Sequence, residues 1–104
     1  MDTVVKLIAI STTKNDFGED IDTEVETTVF ASLQDVGRAE FFKAAELALA
    51  PQFIARTAAI NYSGQRILDY GGQRFAIYRT YLDGDYVELY CEKKAGLEDG
   101  DDSY

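Results

Sequence analysis

Apolar and polar positions fall in short segments along this chain, and the period of the pattern changes from segment to segment. Thr3-Val4-Val5-Lys6-Leu7-Ile8-Ala9-Ile10 is dense in β-branched residues and reads as a first, largely buried strand. Ser11 to Asp20 is polar except for Phe17 and holds the turn formers Asn15, Asp16 and Gly18, which predicts a long loop. Ile21, Thr23, Val25, Thr27 and Val29 then share one face of a segment whose other face is mostly acidic. That alternation predicts a half-exposed strand over residues 21–30, reaching toward Val36.

From Gly37 onward the period lengthens. Phe41, Phe42, Ala45, Ala48 and Leu49 recur at spacings of three and four among good helix formers, so a short helix is expected over Arg38–Leu49. Asp35 or Gly37 would cap it, Glu40 sets a negative charge near its N-terminus, and Pro51 would stop it. Pro51–Ile60 reads as a strand, Asn61-Tyr62-Ser63-Gly64 as a turn, and Gln65–Tyr70 as a short strand ended by Gly71-Gly72. Gln73–Leu82 follows with Phe75, Ile77, Arg79 and Tyr81 on one face, and Asp83-Gly84-Asp85 turns the chain into a last strand over Tyr86–Lys93. Two strands, a helix and four closely connected strands imply a mainly β fold. The expected form is a small antiparallel β-barrel or twisted sheet with one short inserted helix, the helix covering an open end. Residues 1–94 make one domain, and residues 95–104 read as an acidic flexible C-terminal tail.

Charge and chemistry narrow the function. The chain carries 19 acidic and 10 basic residues, a net charge of -9. Removing the four acids of the last seven residues still leaves an acidic body. No basic run exceeds Lys93-Lys94, which argues against a surface that grips phosphates. There is no histidine and a single cysteine, Cys91, so a disulfide within the chain, a Cys/His zinc set and an imidazole base are all excluded. Cys91 alternates with Val87 and Leu89 and reads as a buried thiol. Glu24 and Glu26 share a strand face with no nucleophile beside them. No apolar stretch approaches the ~20 residues that span a bilayer, so a soluble protein used without export is expected. The chemistry implied is that of a non-enzyme with no cofactor and no metal.

The order of several segments resembles a known family, the siphophage head-closure proteins, also called head-tail connector or adaptor proteins, of Gram-positive phages and prophages. The segments are Asp16-Phe17-Gly18, the strand Glu24 to Phe30, Val36-Gly37-Arg38-Ala39-Glu40-Phe41-Phe42, Ala50-Pro51-Gln52-Phe53, Asn61-Tyr62-Ser63-Gly64, the run Gly71 to Tyr81, and Val87-Glu88-Leu89-Tyr90. None is specific alone; together they cover residues 4–93 in order. Gly37 departs from the resemblance, since relatives more often have a capping Ser or Thr there.

The resemblance implies a virion protein of the phage neck. It would form a homo-oligomeric ring of twelve copies at the head-tail junction, with the portal-adaptor protein above and the tail or tail-terminator protein below. Double-stranded DNA would pass without sequence-specific binding, no membrane would be involved, and assembly would take place in the host cytoplasm. On that reading Lys14, Asn15, Asp16, Phe17, Gly18 and Glu19 form a channel loop or gate. Its acidic excess would let DNA pass by like-charge repulsion. Arg38, Glu40, Phe41, Phe42, Arg79 and Tyr81 are candidates for contact with neighbouring subunits or partners. Phe41 and Phe42 are adjacent on the helix and cannot both enter one narrow core, unless a broad apolar face buries the pair. Arg56, Arg74 and Arg79 suit either an interface or pairing within the chain. Two alternatives stay open: a tail-terminator or stopper subunit on the tail side, and a small β-barrel module for a ligand or peptide, which would show an apolar pocket with converging polar groups.

Overall fold

The computed structural model describes residues 2–93. Its elements in chain order are β1 (Asp2–Lys14), β2 (Asp20–Gln34), α1 (Arg38–Glu46), β3 (Pro51–Ala58), a 3-10 turn (Ala59–Asn61), β4 (Ile67–Tyr70), β5 (Gln73–Asp83) and β6 (Tyr86–Glu92). All strand pairs are antiparallel and close into a barrel in the order β1-β2-β3-β6-β5-β4. The fold is thus mainly β with one short helix, as the sequence pattern indicates. The tail expected over 95–104 lies outside the described residues.

Alternation along each strand fills the barrel. Val5 and Leu7 of β1, Val29 and Ala31 of β2, Ala55 of β3, Leu68 of β4, Phe75 of β5, and Val87, Leu89 and Cys91 of β6 form one buried cluster. Phe53 meets Phe75 edge-on at 4.8 Å between ring centroids, and Tyr70 at 6.1 Å, at one margin of that cluster. Buried polar groups find partners: the Thr57 hydroxyl donates to the Phe30 carbonyl at 2.6 Å, and Asn61 donates to Thr57 at 3.0 Å.

Three features depart from the sequence pattern. First, most of the expected loop over Ser11–Asp20 is strand. β1 and β2 pair without interruption from Asp2↔Ser32 to Lys14↔Asp20, and the loop shrinks to residues 15–19. Threonine-rich, polar segments pair as readily as apolar ones when each finds a partner across the ribbon, as Thr12 does with Asp22 and Lys14 with Asp20, both at 2.7 Å. Lys14 therefore stands at a strand end.

Second, α1 stops at Glu46, three residues short of the expected end. Ala48 adopts φ 61, the Ala48 amide donates to the Ala45 carbonyl, and the Leu49 amide donates to the Ala44 carbonyl. This is the bond pattern of a left-handed helix stop, formed here on alanine instead of glycine. Gly37 occupies the N-cap and supplies no side-chain acceptor.

Third, the helix lies against the outer wall, and covering an open end is not its role. Ile54 of β3 and Tyr90 of β6 are paired neighbours and buried, yet both are outside the barrel cluster. α1 approaches β3, buries its own Ala44, and joins β5 through Glu40.

The left-handed alanine gives a direct test. Ala48→Gly removes the clash of Cβ with the neighbouring backbone, which outweighs the added freedom of the unfolded chain. Chemical denaturation should show a gain of about 1 kcal/mol. An unchanged or lower midpoint would mean that Ala48 is unstrained.

Candidate functional site

Two surfaces stand out. One is the projecting part of the β1–β2 hairpin. β4 pairs with β1 only at Lys6, Leu7 and Ile8, and β3 pairs with β2 only at Ser32, Leu33 and Gln34. Beyond those contacts the ribbon continues as two strands alone, and the molecule measures 50 × 33 × 22 Å. At the tip, the Asn15 side-chain oxygen accepts from the amides of Phe17 (2.8 Å) and Glu19 (3.0 Å), while the Asn15 side-chain amide donates to the Glu19 carboxylate (2.9 Å). Gly18 sits at φ 80, a conformation that a side chain would strain. The tip is therefore a small preorganised loop that holds the Phe17 ring 87% exposed. Of the six residues expected to form the channel loop, Asn15, Asp16, Phe17, Gly18 and Glu19 make this tip, and Lys14 pairs with Asp20 just behind it.

Side-chain ties fix the ribbon to the barrel. Both terminal guanidinium nitrogens of Arg74 in β5 donate to Glu24 of β2, at 2.7 and 2.8 Å, and Lys6 lies 3.6 Å from Glu26. The Arg74 hydrogen bonds hold the Glu24 carboxyl below its ordinary range.

The other surface is the outer wall of β3, β6 and β5. Its arrangement depends on a β-bulge: Ile77 pairs with Cys91 and Arg79 with Tyr90, so Tyr78 is an extra residue. A bulge of this kind sets two successive side chains on one face and reverses the alternation beyond it. Phe75 and Ile77 point inward, while Tyr78 and Arg79 both face outward over Tyr90. The Arg79 guanidinium lies 3.8 Å from the Tyr90 ring centroid and donates to Glu40 of α1 at 2.6 and 3.2 Å. The Tyr78 hydroxyl donates to the same carboxylate at 2.8 Å. From Tyr90 the network runs on: its hydroxyl donates to Glu88 (3.1 Å), and Arg56 donates to Glu88 (3.3 Å) and Asp83 (3.0 Å) while lying over the Tyr86 ring at 4.5 Å.

Electrostatics follow from this geometry. Arg79 holds the Glu40 carboxyl below its ordinary value against the opposing effect of burial, and the Tyr78 hydroxyl adds to it. Burial, and then hydrogen bonding to a carboxylate, raises both Tyr78 and Tyr90. Burial pushes the Cys91 thiol up to about 12, so it is a protonated core group at neutral pH. A cleft of about 330 Å³ lies between α1 and β5, but Glu40 and Arg79 at its edge already engage each other.

The interface candidates are thus partly joined. Glu40 and Arg79 form one pair, Tyr81 sits two residues beyond on the same wall, and Arg38 opens the helix. Phe41 and Phe42 are not buried together on a broad apolar face. Neither ring is buried, at 48% and 59% exposed, and they meet each other edge-on at 6.1 Å. Arg56, Arg74 and Arg79 all pair within the chain. Sequence reasoning missed Tyr90 and Glu88 as the centre of the wall, because the bulge that gathers their partners has no local signature. It also missed Phe30, 79% exposed beside a groove lined by Ala58 and Tyr86. An apolar residue on the acidic face of β2 is the one signal that was available.

No protein-family model matches the chain, and no curated protein matches it significantly.

Because the folded Glu40 carboxyl titrates below its unfolded value, its stabilisation is complete above the ordinary carboxylate range and drains as pH falls through the lowered value. Glu40→Gln should lower stability at neutral pH by about 1 kcal/mol, allowing for the solvent around Arg79. It should also remove the Glu40 share of the acid-induced loss, leaving that of Glu24. Urea unfolding of both proteins across the acid range checks both expectations; equal pH slopes would show that Glu40 contributes none of the acid limb.

Proposed function

We propose that this chain is a structural ring subunit at the head-tail junction of a tailed phage, closing the DNA-filled capsid below the portal and its adaptor and giving the tail a docking platform. The observation that carries the reading is a rigid closed barrel from which a two-stranded ribbon projects to an ordered, acidic tip. A ring needs a body that packs beside its copies and an extension that reaches the channel, and this division of parts supplies both. The ordered resemblance over residues 4–93 supports the same role. In this reading the tip, residues 15–19, lines or closes the channel, and its carboxylates repel DNA instead of binding it. The ring has twelve copies, the portal adaptor lies on one side and the tail or its terminator on the other.

A role without a reaction of its own fits the side chains. The carboxylates with lowered proton affinity, Glu24 and Glu40, are ionised and hydrogen-bonded to arginines, an arrangement that holds strands and helix together. The exposed rings of Phe17, Phe30, Phe41 and Phe42 lie at the tip, on the barrel and on the helix, as contacts with several neighbours require.

Cryo-electron microscopy of purified virions and of tail-deficient capsids tests this reading. The expected result is a ring of this chain directly below the portal adaptor, with residues 15–19 facing the channel. Finding the chain on the tail side would transfer the role to a tail-terminator subunit, and finding it in neither place would overturn the reading.

A further inference from the structure

The projecting ribbon leaves two strand edges unpaired among the described residues, and the edges differ in charge. The amide of Asn15 donates to the Glu19 carbonyl at 3.0 Å, so Asn15 and Glu19 are a hydrogen-bonded pair of the ribbon. Such pairs alternate along an antiparallel ladder. With the observed register, the odd-numbered residues of the projecting ribbon bond across it, and the even-numbered ones direct their amides and carbonyls outward. On β2 the outward groups belong to Asp20, Asp22, Glu24, Glu26 and Thr28, before pairing with β3 begins at Ser32. On β1 they belong to Ile10, Thr12 and Lys14, after pairing with β4 ends at Ile8. Neither stretch contains a proline or a bulge to blunt it.

We propose that these two edges are the two halves of one interface, through which the β2 edge of one copy takes the β1 edge of the next as an added antiparallel strand. Charge selects the partner. Two β2 edges would set Asp20, Asp22, Glu24 and Glu26 of one copy beside the same row of another; Lys14, Arg74 and Lys6 offset Asp20, Glu24 and Glu26 within each copy, but the row itself holds only carboxylates, and like charges in neighbouring strands are destabilising. The β1 edge brings no carboxylate and carries Lys14, so it meets the acidic row without repulsion. The same argument disfavours the strongly acidic residues 98–102 as the strand that covers β2. Contact between unlike edges is heterologous and propagates from copy to copy, closing into a ring or extending as a filament, whereas like edges would stop at a dimer. The ribbons of successive copies would form one continuous sheet, with Ile21 and Val25 on one of its faces.

This inference takes the partner to be a second copy, as the ring reading does. Association in solution reports on the edges and location in the virion reports on the role, so one can fail without the other. The test uses proline, which removes an outward amide without touching the ribbon's own bonds. Asp22→Pro blocks the β2 edge and Thr12→Pro blocks the β1 edge; both lose the same Thr12–Asp22 side-chain bond, which controls for it. Circular dichroism and thermal melts establish that each variant folds. In sedimentation velocity over a concentration series, the unmodified protein should form species beyond the dimer, and each variant alone should associate about tenfold more weakly or not at all. An equimolar mixture of the two variants should give a dimer and nothing larger, because each retains one working edge. A monomeric unmodified protein, variants that associate as it does, or a mixture that stays monomeric would each overturn the proposal. Should either proline variant fail to fold, Lys14→Glu on the β1 edge takes its place and should weaken association in the same direction; unchanged association would overturn the proposal equally.

Discussion

The barrel closes on two short seams, β1 with β4 and β2 with β3, each only three residue pairs long, and the rest of the molecule's shape depends on where those seams stop. Backbone amides and carbonyls must be paired or solvated. Inside the seams they are paired on both sides, and the apolar side chains of six strands fill the interior. Past the seams, the backbones of β1 and β2 pair with each other, apart from the Phe30 carbonyl, which accepts from the Thr57 hydroxyl. The ribbon stays regular there because cross-strand polar pairs, Thr12 with Asp22 and Lys14 with Asp20, replace the packing that the barrel supplies. The tie from Arg74 to Glu24 then fastens the projecting half to β5. A ribbon held in this way is an extension of a rigid body and not a wandering loop, and that distinction underlies both functional readings.

The outer wall rests on the one-residue irregularity at Tyr78. Continuous alternation would have turned Tyr78 outward and Arg79 inward, driving a guanidinium into an apolar core at high cost in solvation. The bulge places both side chains outside, where Glu40 accepts from each. Glu40 thus connects a helix of nine residues to the sheet, and short helices gain most of their stability from such tertiary contacts. Ala44 of the helix and Ile54 and Tyr90 of the wall are also buried, outside the cluster that fills the barrel interior. The bulge and the ion pair depend on one another.

How much of this was legible in the residues varies with the range of the interaction. The six strands, their order and the helix between the second and third follow from periodicity, because local alternation reports directly which face is buried. Gly37 at the helix start and the turns at Gly71-Gly72 and Asp83-Gly84-Asp85 are equally local. The segment Ser11–Lys14 looks like loop in the sequence since its polar threonines carry no burial signal; it is strand because β2 lies beside it. Glu40 and Arg79 were each legible as candidates, but not as a pair, being 39 residues apart in sequence.

By itself, then, the sequence determined the fold class, the burial of Cys91, the lack of histidine and of a disulfide within the chain, and the acidic character of β2. Each depends on residue type or on neighbours within a few positions. Only the tertiary structure decided where the seams end, which residue bulges, that the helix lies on the wall, and that Phe17 crowns an ordered tip. Those outcomes are set by the competition of distant segments for the same backbone and side-chain partners, and no local pattern records which of them prevails.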